Sequence, residues 1–191
     1  MRRAKSEQTK PYSVALWLIR AFALDEADQH REGEYEDVAW GPYNDLTAVL
    51  HEWQDASALP QQSFLLVEWL AVELHAYLRI QYGDQVERYL IDFGDQVAQA
   101  QQHDHPAGPT AIAILSEAGA DDAECRTRMA RPYAAYLRDG HQVEDAREVV
   151  LTFALWAGAT LAELMRYDDQ RITSYVEARR DDWHVPEEEK S

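Results

Sequence analysis

The sequence predicts an all-α protein, an irregular bundle of about seven helices without significant β-sheet. Apolar residues recur at three- and four-residue spacing, Pro, Gly and Asp interrupt these runs, and no stretch alternates as a half-buried strand does. A hydrophobic content of 46%, with six Trp and ten Tyr among 191 residues, is enough for one sizeable core. We therefore expect a single helical domain over residues 1–185, with a loop near 103–109, and a mobile acidic tail at 186–191.

The first half of the chain predicts four helices, over residues 11–33, 45–59, 61–82 and 86–97. Pro11 fits a first helical turn, and Asp45 is a good N-cap for the second helix. We expect Pro60 to close that second helix. The third helix is apolar on most sides, which indicates a central position, whereas the fourth is amphipathic.

The second half predicts four more helices, over residues 110–118, 122–138, 142–167 and 169–182. Pro132 should end or kink the helix that contains it, because its ring removes a backbone donor and clashes with the preceding turn. Several large side chains from both halves are expected to be mostly buried: Trp17, Phe22, Phe64, Trp69, Leu74, Phe153 and Trp156.

The charge of the chain limits its partners. It carries 35 acidic and 18 basic residues, for a formal net charge of -17, so we predict no direct nucleic-acid binding. We predict no membrane partner, because the longest apolar run, 149–165, is interrupted and shorter than the roughly 20 residues that a span needs. The single Cys125 excludes an intramolecular disulfide, and polar residues follow the basic start of the chain, so a cytoplasmic location is the default expectation.

Seven carboxylates lie close together at the end of the first helix and in the connection that follows it. This acidic patch consists of Asp25, Glu26, Asp28, Glu32, Glu34, Glu36 and Asp37. Such a patch can serve solubility alone, but it also steers basic protein partners toward the surface. We predict that these residues bind a basic protein partner.

Three polar residues interrupt the apolar third helix and fall near one another on a helical projection: Glu68, His75 and Arg79. A charge in an apolar helix must be paired, lie at an exposed edge or line a cavity, because an unpaired buried charge is costly. The first two alternatives are favoured, and a polar ligand pocket is the third.

Small residues recur at four-residue steps on the helix over 142–167, at Ala154, Gly158 and Ala162. This spacing makes one helix face smooth enough for another backbone to approach closely. Close packing inside the monomer is the favoured interpretation, and a homo-oligomer through these residues is the alternative.

Histidine and carboxylate pairs at helical spacing are the chain's best candidates for metal ligation. They are Glu26 with His30, and His141 with Glu144; the loop pair His103 and His105 is a further candidate. None of these pairs is accompanied by a second pair of the same kind, as in the paired Glu-x-x-His pattern of helical di-iron proteins. We therefore predict no metal, no cofactor and no catalytic residue.

Two sets of residues resemble enzyme motifs. The pairs Glu34/Asp37 and Glu52/Asp55 resemble the acidic pairs with which all-α nucleotide pyrophosphohydrolases hold magnesium, which implies a metal-dependent hydrolase. Arg179 and His184 match the Arg-x4-His spacing of HEPN-type ribonucleases, which implies cleavage of an RNA backbone.

The favoured prediction is a non-enzymatic intracellular interaction or regulatory protein that binds a basic protein partner. Immunity proteins, antitoxins, nucleic-acid mimics and accessory subunits are of this type. The alternative is a metal-dependent all-α nucleotide hydrolase or a HEPN-like ribonuclease. The two classes differ in whether separated carboxylates and histidines converge in one pocket.

Overall fold

A computed structural model of the chain describes residues 10–32, 40–100, 106–120 and 122–183. Within these ranges every regular element is helical and no strand occurs, which confirms the predicted fold class. The α-helices are α1 (Pro11–Glu32), α2 (Trp40–Asp55), α3 (Leu59–Tyr82), α4 (Val86–Ala100), α5 (Gly108–Leu115), α6 (Cys125–Tyr136), α7 (Gln142–Leu164) and α8 (Asp169–Trp183). A short 3-10 turn, Gly83–Gln85, joins α3 to α4.

The centre of the bundle consists of α1, α3 and α7, which pack against one another. These helices are apolar on most sides, so each must be covered by neighbours on several faces. The helix α2 covers α7 and α3, and α8 lies along α1. The short helix α5 contacts α6, α4, α3 and α7, so it links the amphipathic α4 to the rest of the fold.

The core contains most of the large side chains that the sequence assigns to it. Phe22, Leu74 and Phe153 are buried, and three further aromatic side chains, Phe64, Trp69 and Trp156, are half-buried at its edge. The expectation for Trp17 is wrong, because its side chain is 37% exposed. The neighbours of α1 cover its other faces, and Trp17 lies on the remaining side together with the exposed Arg20 one turn later.

Two prolines begin helices where the sequence predicts a loop or a stop. Pro42 lies in the first turn of α2, which starts at Trp40 instead of Asp45, and Pro60 lies in the first turn of α3. Neither position needs a backbone donor, so proline is tolerated there. Pro132 lies inside α6 without ending it. Its position is only half-buried, so water can reach the carbonyl that loses its partner.

The turn between α7 and α8 is sharp. Arg166 and Tyr167 both have positive φ values, 58° and 57°, and the axes of the two helices differ by 118°. In the described part of the chain no single helix is both long and apolar enough to span a membrane. The helices α7 and α8 meet the two criteria only when they are counted as one segment across this bend.

Candidate functional site

A groove of about 620 Å³ runs between α4 and α5. Its walls are mostly apolar and include Leu90, Ile91, Val97, Pro109, Ile112 and Ala113. Ile91 is 67% exposed, more than most large apolar side chains among the residues that the structure describes. An exposed isoleucine beside an apolar groove provides a surface that a second molecule can cover with a gain in hydrophobic free energy.

The close approach of α5 to α4 depends on Gly94. A Cβ atom at this position would lie 3.2 Å from Cγ2 of Ile112, which is tighter than ordinary van der Waals contact. The glycine therefore lets the side chain of Ile112 lie directly on the backbone of α4. Gly94 and Ile112 both line the groove, together with the exposed Ile91.

The other face of α4 is held by a row of aromatic rings. Tyr89 stacks on Tyr82 of α3, with ring centroids 4.1 Å apart, and on Phe93 at 5.7 Å. Phe93 in turn meets Trp156 of α7 edge to face at 4.9 Å. These contacts fix α4 in place from behind, so that the groove is a preformed feature of the fold.

Two carboxylates lie at the rim of the groove, Glu87 and Asp95, four residues before and after Ile91. Both belong to α4, so all three side chains project from one side of that helix. None of the described residues that line the groove is Lys or Arg. The groove thus combines an apolar floor with a negative edge.

The described members of the predicted acidic patch lie on the last two turns of α1. Asp25 and Glu26 are half-buried, and Asp28 and Glu32 are exposed. Burial, opposed by a hydrogen bond from Gln29, raises the pKa of Asp25. The remaining predicted members, Glu34, Glu36 and Asp37, lie outside the described residues.

Part of the charge of this patch is neutralised within the chain. Arg31 pairs with Asp28 and also with Asp169 of α8, whose carboxylate accepts a hydrogen bond of 2.8 Å. Because Arg31 already has two carboxylate partners, it adds no free positive charge. The described part of the patch still holds more carboxylates than arginines.

The predicted polar pocket residues face different neighbours on the side of α3 toward the α5–α6 connection. Glu68 pairs with Arg126 of α6 at 3.2 Å. Burial raises the pKa of Glu68, and the positive charge of Arg126 opposes this shift. The ring of His75 lies against the backbone of Gly119, so closely that a Cβ atom at Gly119 would overlap it. Arg79 is exposed.

The environment of His75 makes stability depend on pH. Burial first, and the charge of Arg79 second, lower the pKa of His75. The unfolded chain takes up this proton near the ordinary value of about 6.5, whereas the folded chain takes it up only at lower pH, so stability falls as pH drops below that value. We expect His75→Gln to lose less free energy of unfolding than the wild type between pH 7.5 and pH 5. Urea denaturation at both pH values measures this difference, and equal losses would contradict it.

The small residues of α7 pack inside the monomer. Ala154, Gly158 and Ala162 are all buried, and a Cβ atom at Gly158 would lie 2.6 Å from Cβ of Phe22 on α1. Packing inside the monomer, the favoured interpretation, accounts for all three residues. A homo-oligomer through the same residues would require the contact between α1 and α7 to open.

In the described part of the chain two carboxylates are buried, and each is paired with an arginine. Asp145 of α7 accepts hydrogen bonds from the backbone N–H and the guanidinium of Arg138, and this bonding lowers the pKa of Asp145. Glu73 of α3 accepts from the guanidinium of Arg179 on α8. Beside that pair the side chain of Tyr77 is buried, and burial first, with the charge of Glu73 second, raises the pKa of Tyr77.

The enzyme-like motifs gain no geometric support among the residues that the structure describes. No group of three or more His, Cys, Asp or Glu side chains there is arranged to hold a metal ion. Glu52 and Asp55 are exposed at the end of α2, whereas the loop histidines and the Glu34/Asp37 pair lie outside the described ranges. Arg179 is bound to Glu73, and His184 lies outside the description.

No protein-family model matches the chain, and no curated protein and no solved structure matches it either.

Proposed function

We propose that this protein is a non-enzymatic interaction module that binds a basic, amphipathic segment of another protein in the groove between α4 and α5. The observation that carries this proposal is the groove itself, in which the exposed Ile91 lies between the rim carboxylates Glu87 and Asp95. Apolar contact supplies binding free energy, and the carboxylates select a partner with positive charge at the edge of its apolar face.

The charge of the whole chain supports the same partner. A formal net charge of -17 attracts basic segments over a distance and repels a second copy of the chain. It also repels anionic phosphate, so a phosphate-bearing ligand is disfavoured. A basic protein segment with an apolar face satisfies both the groove and the overall field.

The test uses a fluorescein-labelled synthetic helix of Lys and Leu with one apolar face, and a scrambled peptide of identical composition. Fluorescence anisotropy at 150 mM salt should show saturable binding of the amphipathic peptide. We expect Ile91→Asp to weaken it at least about tenfold, a loss of about 1.4 kcal/mol, because burying a charge against the leucine face of the peptide costs more than the added attraction to its lysines returns.

The matched control is Ile80→Asp on α3. Ile80 is 66% exposed, nearly the same as Ile91, but it does not line the groove, so this variant should bind like the wild type. The proposal is wrong if the wild type does not bind the amphipathic peptide, if the scrambled peptide binds equally, or if both isoleucine variants behave alike. Sedimentation of the free protein completes the test: a dimer that Ile91→Asp dissociates would assign the groove to a second copy and overturn the proposal.

A further inference from the structure

We infer that the segment bound in the groove is an α-helix with two basic residues seven or eight positions apart on either side of an apolar turn. This inference rests on the proposed function and adds the form and register of the partner. It follows from the spacing of the groove's polar and apolar residues along α4.

The rim carboxylates mark the length of the site. Glu87, Ile91 and Asp95 follow one another at four-residue steps, so the two carboxylates are separated along the axis of α4 by about 12 Å at 1.5 Å per residue. The opposite wall, α5, has eight residues and about the same length. The groove therefore spans slightly more than two helical turns.

The distance between the rim carboxylates sets the register of a bound helix. In a helix lying along this groove, residues seven or eight apart are on one face and about 10.5–12 Å apart, which matches the distance between the rim carboxylates. Apolar residues three and four positions from each basic residue then face Ile91 and the floor. A spacing of four between the basic residues covers only about half of that distance.

The helical walls of the groove exclude an extended segment as its occupant. Both walls of the groove are helices, whose backbone N–H and C=O groups are bonded within the helix, so the groove has no sheet edge to which an extended peptide can pair. A helix satisfies its own backbone groups and presents only side chains. It is therefore the form of chain that fits two helical walls.

The experiment compares three peptides of the same length, of which the first two have the same numbers of Lys and Leu. One has its two lysines seven apart around an apolar turn, one has them four apart, and the third is the first peptide with Pro at its centre. We expect the seven-residue spacing to bind at least about fivefold tighter than the four-residue spacing, since one rim pair is lost in the latter. The Pro peptide should lose binding, because it cannot form the central turn.

Charge reversal tests the pairing of the two lysines with the rim carboxylates. Glu87→Lys and Asp95→Lys should each weaken binding of the seven-spaced peptide, and a peptide with Glu in place of one of its two lysines should restore binding to either variant. Equal affinity for both spacings, no rescue of either variant by the peptide with Glu, or unimpaired binding of the Pro peptide would overturn this inference while leaving the proposed function intact. If none of the peptides binds the wild type, both fail.

Discussion

Replacing Gly158 by Leu should lower the free energy of unfolding by about 3 kcal/mol, because the side chain must enter a contact between two helices that has no room for it. Even a Cβ atom at this position would lie 2.6 Å from Cβ of Phe22 and 3.0 Å from the backbone nitrogen of Ala23, so α1 and α7 must separate to admit leucine. Gly158→Ala should cost less, since the better helix propensity of Ala returns up to about 1 kcal/mol. Chemical denaturation measures both variants.

The control for this prediction is the next residue on the same helix. Ala159 is exposed, so Ala159→Leu adds a large side chain to α7 without entering the contact, and its stability should stay within about 0.5 kcal/mol of the wild type. If Gly158→Leu and Ala159→Leu are equally stable, α1 and α7 do not meet at Gly158.

Replacing Arg179 by Met should cost about 3 kcal/mol, because the carboxylate of Glu73 would remain buried without its cation. Glu73 is only 1% exposed, whereas the side chain of Arg179 is 31% exposed, so water can reach the vacated position and the cost lies at the low end of the range for buried pairs. Replacing both residues, as Glu73→Leu with Arg179→Met, should restore most of this stability, since no unpaired buried charge is then left at this position.

The comparison variant is Arg171→Met, which removes an exposed arginine from the same helix and should change stability by less than about 0.5 kcal/mol. A double-mutant cycle on Glu73 and Arg179 measures the coupling free energy between the two side chains. Strictly additive losses in the double variant would show that the two side chains do not form the pair described here.

Much of the fold follows from the sequence because helical periodicity survives in long apolar runs. The central helices α1, α3 and α7 were predictable on this basis, since few arrangements can bury a helix that is apolar on most sides. Proline was the main source of error. Pro42 and Pro60 look like breaks in the sequence, but proline in a first turn costs nothing because the missing donor is unused there.

The groove was not predictable in the same way, because it depends on how two helices meet. The sequence shows that α4 is amphipathic, but Ile91 lies outside the apolar stripe of that helix, and the groove beside it forms only where α5 packs. Charge density along the chain pointed instead to the end of α1. The signal available in the sequence was the isoleucine itself, with an acidic residue four positions away on each side.

The most direct test of the account is to map, by amide chemical shifts of the ¹⁵N-labelled protein, where the amphipathic Lys/Leu peptide binds. We expect saturable shifts concentrated in residues 86–98 and 108–116, which form the two walls of the groove, with little change in residues 25–32. Shifts concentrated in residues 25–32 would place the binding surface at the acidic patch of α1 and contradict the assignment to the groove.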